Sequence, residues 1–334
     1  MKSDCFYYGT YTPEGFYSLT QKTEFAAQKT FALKSYSDSL KQTLFSSLKT
    51  ELEKRGYSYT DFRADDRSIG IFSGDASLRV IDGTYENTAY DTEIFLADSI
   101  VTKEHKKYLE QREEAVQRAQ RFLAACRCIN NDMIRLETAD MDILKINRYA
   151  TYLWTSTGGT LKGSVGTEYK RFVTCFTADG VELNMEAFDT YCDRITLICD
   201  RTGACSGRIV DRVRRYALSA GYDVISCLCP LNIVRGAEHL IIPELRYGIF
   251  VCKYFHKGDF KNCRKVYSSR FLVSSDTQTK NRMDFSIKAY KRLMREVFSS
   301  LEIVNLCDEE LNRLSAEDFS VSDTREFLEN LFSS

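Results

Sequence analysis

Between Phe31 and Tyr57 the chain reads FALKSYSDSLKQTLFSSLKTELEKRGY: a short apolar run, a polar break, then Leu40, Leu44, Phe45, Leu48 and Leu52 at helical spacing. The pattern predicts a buried strand, a tight loop and an amphipathic helix closed by Gly56, a residue suited to a left-handed C-cap. It returns 165 residues later, over Thr196 to Tyr222, without a gap. There the five helix positions become Cys205, Ile209, Val210, Val213 and Ala217, and the helix again closes on Gly-Tyr at Gly221. Almost no identity survives, so what repeats is the periodicity of burial, the property that a fold constrains. The register holds back to Tyr11–Gly15 over Phe176–Gly180. We read a tandem duplication.

Around the first strand–helix unit, Tyr57–Phe62, Ile69–Phe72 and Leu78–Ile81 predict three short strands, with a polar loop at 63–68. In the second copy Ile195–Cys199, Tyr222–Leu228, Leu240–Ile242 and Arg246–Val251 take the corresponding places. Strand, loop, helix and strand in this order predict an α/β fold whose sheets are mainly parallel and covered by helices. From Thr102 a charged stretch free of Gly and Pro predicts a long helix, returned as a hairpin by Met141–Trp154. Residues 281–334 are helical again, with Phe285, Ile287, Leu293, Val297 and Leu301 on one face and a last segment over 311–331. The Lys/Arg-rich passage 253–270 reads as a solvated connection, and TSTGGTLKGSVGT at 155–167 as a boundary. The expected domains are therefore 1–157 and 168–334, each a sheet unit with a helical appendage.

Composition narrows the partners. At 334 residues with 43% apolar content the chain supports two real cores, and a net charge of −1 argues against a nucleic-acid or anionic-membrane surface. No apolar run reaches the length of a membrane span and the N-terminus lacks a signal core, so a cytoplasmic location is expected. Of twelve cysteines, Cys126, Cys199, Cys227 and Cys252 sit inside apolar patterns, where reduced thiols act as small hydrophobes. Cys126-x-Cys128 and Cys227-x-Cys229 lack zinc-knuckle spacing. His105 lies in a charged helix and reads as solvated, while His239 and His256 have no nucleophile motif beside them.

A strand that runs through a tight loop into a helix N-terminus is a ready phosphate site, because unpaired N–H groups and the helix dipole converge there. The signature GxxxxGK[ST] puts glycines where the backbone approaches phosphate, lysine on the terminal phosphates and a hydroxyl on magnesium. Set on Lys41, the first loop reads Ser35, Leu40, Lys41 and Gln42, with Thr43 one residue late; only the lysine survives. Asp38 brings a carboxylate to where phosphate oxygens would lie. The second loop reads Asp200, Cys205, Ser206 and Gly207, with Arg201 or Arg208 as the remaining cations. Asp82, ending an apolar strand, stands where a carboxylate would hold magnesium through water; its counterpart is Val251.

Gly15-Phe-Tyr-Ser-Leu19, Lys34, Lys41, Thr43, Asp82-Gly83-Thr84 and Ile241-Ile-Pro-Glu-Leu245 together give the chain its resemblance to a bacterial family of tandem P-loop ATPases of uncharacterised cellular role. The resemblance covers most of both halves and implies tandem P-loop NTPase-like domains with helical hairpin appendages. It also implies ATP and Mg2+ as ligands, and both phosphate loops depart from the family pattern. Lys34, Ser39, Lys41 and Thr43 in the first half and Arg201, Ser206 and Arg208 in the second are the candidate nucleotide contacts; Asp82 and Thr43 are the candidate metal ligands. The expected function is a degenerate ATPase-like protein that keeps weak ATP binding in its first half with little or no hydrolysis. Two rivals stand beside it. One is a non-catalytic scaffold that binds an unidentified protein through the same fold, and the other an NTPase whose sites are completed by oligomerisation, with Arg201 and Arg208 as fingers.

Overall fold

The computed structural model describes residues 5–20, 23–85, 90–95, 102–253, 260, 263–273, 277–315, 327–328 and 331–332. Contacts divide the chain into two units. The first holds Met1–Gln120, Thr177–Asp179 and Val297–Ser334, and the second Arg121–Phe176 and Gly180–Glu296. The Gly-rich stretch 155–167 thus lies within the second unit.

In the first unit a hairpin of β1 (Gly9–Thr12) and β2 (Gly15–Ser18) precedes β3 (Lys29–Lys34) and α1 (Asp38–Lys54). Then come β4 (Thr60–Ala64), β5 (Arg67–Ser73), β6 (Leu78–Asp82), β7 (Thr92–Phe95) and α2, which begins at Lys103 and runs to Ala139. The sheet order is β4-β5-β6-β3-β7. β3 lies parallel to β6 and β7, whereas β5 is antiparallel to both neighbours. The expected loop at 63–68 is confined to the two residues Asp65 and Asp66, with Asp65 at φ 57°. So short a turn can join only antiparallel strands. The α1 face Leu40, Leu44, Phe45, Leu48 and Leu52 is buried with Phe31, Leu33 and Val80, as the spacing requires. Gly56 sits at φ 72° and the Tyr57 amide donates to the Leu52 carbonyl at 3.0 Å, the bond of a left-handed helix end.

In the second unit α3 (Ile143–Ser156) is followed by β8 (Glu168–Arg171), the hairpin strands β9 (Thr174–Thr177) and β10 (Gly180–Leu183), and α4 (Glu186–Tyr191). β11 (Arg194–Cys199), α5 (Ala204–Ser219), β12 (Val224–Leu228), β13 (Ala237–Ile242), β14 (Tyr247–Cys252), β15 (Cys263–Tyr267) and the first part of α6 (Thr277–Leu314) complete it; α6 from Val297 on belongs to the first unit, and α2 from Arg121 on to the second. The order is β15-β11-β14-β13-β12-β8, with β13 antiparallel among otherwise parallel neighbours. Apart from β8 this reproduces the first unit strand for strand. Gly9 answers to Thr174, Gly15 to Gly180 and Lys29 to Arg194 as strand starts, each 165 residues apart. Where mainly parallel sheets were expected, both are mixed in the same way, parallel about β3 and β11 and antiparallel at β5 and β13.

Three expectations change. α3 packs on α5 in the second unit, since its buried face, Ile146, Tyr149, Ala150 and Leu153, belongs to that core. The passage 253–270 contains an edge strand, β15, parallel to β11; residues 254–259 and 261–262 of it lie outside those described. Phe285, assigned to the inner face of α6, is 73% exposed, while Ile287, Val297 and Leu301 are buried. The last expected helical segment falls largely outside the described residues. Among the described residues no helix is long and apolar enough to cross a membrane.

Candidate functional site

Both units bring a strand, a loop and a helix N-terminus together beside the end of a parallel neighbour, and they furnish that place differently. In the first, Ser37 caps α1 by accepting from the Leu40 amide at 3.2 Å. Lys41 lies one turn in, its side chain 4% exposed. The register sets Asp82 of β6 beside Leu33 of β3, under that turn. Lys41 Nζ accordingly donates to Asp82 Oδ2 at 2.7 Å and to Thr84 Oγ1 at 3.1 Å, and stands 3.6 Å from Asp38 Oδ1. A buried ammonium is tolerable only with such partners. Tyr85 stacks on Phe16 with centroids 4.3 Å apart and lies 5.7 Å from the same ammonium; burial pushes its hydroxyl up to about 12.

More charge closes the mouth. Arg67 pairs with Asp65 at 2.9 Å, and Arg112 of α2 donates to Asp308 of α6 at 2.6 Å. Asn312 Oδ1, one turn beyond Asp308, accepts from the Ser39 amide at 3.0 Å. The space left beside Lys41 is about 40 Å³. Lys34 is turned elsewhere, donating to the Gly83 carbonyl at 2.8 Å. Thr43 is exposed and donates back to the Ser39 carbonyl at 2.9 Å, away from Asp82. The structure brings Lys41 and Asp82 together, ties Ser39 to Asn312 and leaves Thr43 on the solvent face.

In the second unit the equivalent positions hold Ser206 for Lys41 and Val251 for Asp82, the latter paired with Ile198 as Asp82 is with Leu33. Asp200, 1% exposed, turns its carboxylate onto the helix N-terminus: Oδ2 accepts from the Ser206 amide at 2.7 Å and Oδ1 from the Thr202 amide at 3.3 Å. A side chain of the protein thus takes amides that an external anion would take. Gly203 has φ 82°, a left-handed conformation that favours glycine, and a Cβ there would stand 2.8 Å from Cε of the Lys253 side chain. Lys253, just past β14, pairs with the buried Glu238. Glu137 of α2 accepts from the Thr202 hydroxyl; burial, with Asp200 nearby, raises its carboxyl to about 7.

Here space is open. A cavity of about 800 Å³ spans the C-terminal ends of β11, β14 and β15 at Cys199, Cys252 and Tyr267. Glu137, Asp140, Asp200 and Asp284 form part of its wall, with Arg201, Lys253, Lys280 and Lys291 as cations. A second cavity of about 330 Å³ is lined by Gly203, Gly207, Arg208 and Arg235. Arg201 and Arg208 are both exposed, each at the rim of a different cavity. Among the described residues no cluster of three or more His, Cys, Asp or Glu is placed to hold a metal ion. His105 is buried and hydrogen-bonded to Thr102 Oγ1 at 2.8 Å rather than solvated.

Sequence reasoning missed Arg67, Arg112, Asp308, Asn312 and Glu137. Two of these had a readable signal. Val116, Ala119, Leu123, Cys126, Asn130, Met133 and Glu137 are all buried and spaced by three and four, so Glu137 occupies a seam position of α2. Asp308 does the same in α6 between Val304 and Leu311. Acids at seam positions mark a partner or a site.

The chain matches no family model, no curated protein and no solved structure.

Proposed function

We propose that the chain is a duplicated P-loop-like protein whose second unit binds a nucleotide-sized, phosphate-bearing ligand without hydrolysing it, while its first unit is shut. The observation that carries this is the 800 Å³ cavity across the ends of β11, β14 and β15. In sheets of this kind ligands bind outside the carboxyl ends of the strands, where connections diverge to opposite sides, and ligand pockets run to about 300–1,000 Å³. β11 is such a point, since the chain leaves it through α5 to β12 on one side and β15 flanks it on the other. Arg201, Lys280 and Lys291 supply the charge for phosphates.

ATP with magnesium, implied by the family resemblance, does not fit the residues of the first unit. Lys41 is committed to Asp82, Asp38 stands 3.6 Å from its ammonium and about 40 Å³ remains. Thr43 faces solvent, and the second unit has Val251 where a metal-holding carboxylate would stand.

Isothermal titration with ATP, ADP and pyrophosphate in EDTA tests the proposal. Saturable binding is expected, unchanged in Lys41→Ala and weakened about tenfold or more in Arg201→Ala/Lys280→Ala, two cations being worth at least 1.4 kcal/mol together. No phosphate release is expected with or without magnesium. Absence of binding at millimolar ligand would overturn it. That outcome favours the scaffold reading, which has its own support in the Asp200 carboxylate already seated on the α5 amides.

A further inference from the structure

Asp308 is an acid at a core position of α6, flanked along the seam by the buried Val304 and Leu311. Its side chain is 13% exposed, and such a carboxylate costs several kcal/mol unless its charge is met. It is met by Arg112 at 2.6 Å, with Arg67 3.8 Å away. One turn further, Asn312 Oδ1 accepts from the Ser39 amide at 3.0 Å and from Ser37 Oγ at 3.1 Å. The Ser39 amide belongs to the first turn of α1, where N–H groups have no partner within the helix, the kind of group that holds oxyanions. A further donor is spare. Tyr11 is 6% exposed, its hydroxyl has no hydrogen-bond partner among the described residues, and burial shifts its ionisation upward, with Tyr85 and Asp308 adding to the shift and Arg112 and Arg67 opposing it.

We infer that Asp308 and Asn312 are a built-in stand-in for a small oxyanion, filling from α6 a phosphate-class site made by Arg112, Arg67, the Ser39 amide and the Tyr11 hydroxyl. Two guanidiniums, a helix-end amide and a phenol are the donor set that a phosphate group requires, and α6 delivers two side-chain oxygens to it in cis. Arg67 keeps its own acid, Asp65, through two hydrogen bonds at 2.9 and 3.1 Å, whereas Arg112 depends on Asp308. Taking Asp308 away therefore leaves one buried guanidinium without a carboxylate, and a soluble anion of similar size gains a place. The site is separate from the second-unit cavity and does not depend on what binds there.

The test is anion rescue in the full chain. Thermal unfolding of Asp308→Ala is followed against inorganic phosphate and pyrophosphate, with potassium chloride at matched ionic strength as control. All proteins carry Arg201→Ala/Lys280→Ala, which weakens any second-unit response, and each shift is read as the excess over the parent in that same background, so failure of that reading leaves this one standing. The parent sets the baseline, with potassium chloride correcting for salt. Asp308→Ala should melt lower and regain most of the loss in a saturable way, as ligand linkage demands, and adding Arg112→Ala should abolish the gain. A further arm with ATP separates recognition of a polyphosphate tail, where ATP matches pyrophosphate, from recognition of a single phosphate, where only orthophosphate acts. Should Asp308→Ala not fold, Asn312→Ala keeps the Arg112 pair and frees the Ser39 amide, and pyrophosphate should stabilise it. A folded variant of either kind that answers pyrophosphate no more than chloride overturns the inference.

Discussion

The two strand–helix mouths have the same strands, the same senses and the same register, and opposite contents. In the first, Lys41 and Asp82 survive and bind each other, and α6 closes what remains. In the second both are gone, replaced by Ser206 and Val251, and a cavity is open. The difference teaches that motif residues and a usable site are separable. A lysine and a carboxylate that meet at the mouth form a buried ion pair, because in a low-dielectric interior each offsets the other's charge. In the second unit Ser206 and Val251 put no charge pair at that point, its buried pair being Lys253 with Glu238.

The comparison breaks most visibly at Asp82. Replacing it by Ala strands the Lys41 ammonium, whose next acid is 3.6 Å away, and should cost about 3–5 kcal/mol by urea denaturation. The equivalent Val251→Ala removes only buried methyl groups and should cost about 2 kcal/mol. If Val251→Ala is the costlier, the first site is not held by its ion pair.

Next in size is a pH effect confined to the second unit. Glu137 is raised from 4.5 to about 7 by burial, with Asp200 adding to it. Below about 4.5 it is protonated folded or unfolded. Between there and about 7 only the folded protein keeps the proton, so its share of stability is full at low pH and is lost as pH rises through the folded value. Wild type should lose about 1–3 kcal/mol relative to Glu137→Gln between these limits. Parallel stability curves for the two proteins would remove the buried carboxylic acid from the account.

The helix ends give a finer contrast. Gly56 and Gly221 close α1 and α5 at φ 72° and 92°, but a Cβ at Gly56 meets nothing while one at Gly221 would stand 2.7 Å from the Ser164 carbonyl. Gly56→Ala should therefore cost about 1 kcal/mol, the backbone term alone, and Gly221→Ala about 1 kcal/mol more. Equal costs would mean that the 155–167 segment yields freely. Smallest of all is Thr43→Ala. The side chain is exposed and bonded only to its own helix, so stability should move by under about 0.5 kcal/mol and ligand binding not at all. A loss of binding there would restore it to the site.

Much of the fold was readable because the signals are local. The apolar positions of α1 and α5 and the glycines that end them follow from the helical period and from backbone sterics, so both survive the loss of identity between copies. β15 was hidden because it is an edge strand: Arg264, Lys265 and Tyr267 face outward, and the segment reads as polar. The antiparallel sense of β5 was hidden because it hangs on a two-residue turn through Asp65 within what looks like a polar loop. Of the first site, Lys41 and Asp82 were legible from register.

By itself the sequence determined the duplication, the strand–loop–helix unit in each copy and the length of α2, since each is written in spacing that any chain must obey to bury its apolar groups. Only the tertiary structure decided that Lys41 and Asp82 neutralise each other, that Asp308 and Asn312 enter from α6, and that open space lies beside Asp200. Those are meetings of residues up to 275 positions apart in sequence, Ser37 with Asn312 among them. Periodicity says which face of a helix is buried; what that face is buried against is fixed by chain topology and the pairing of charges.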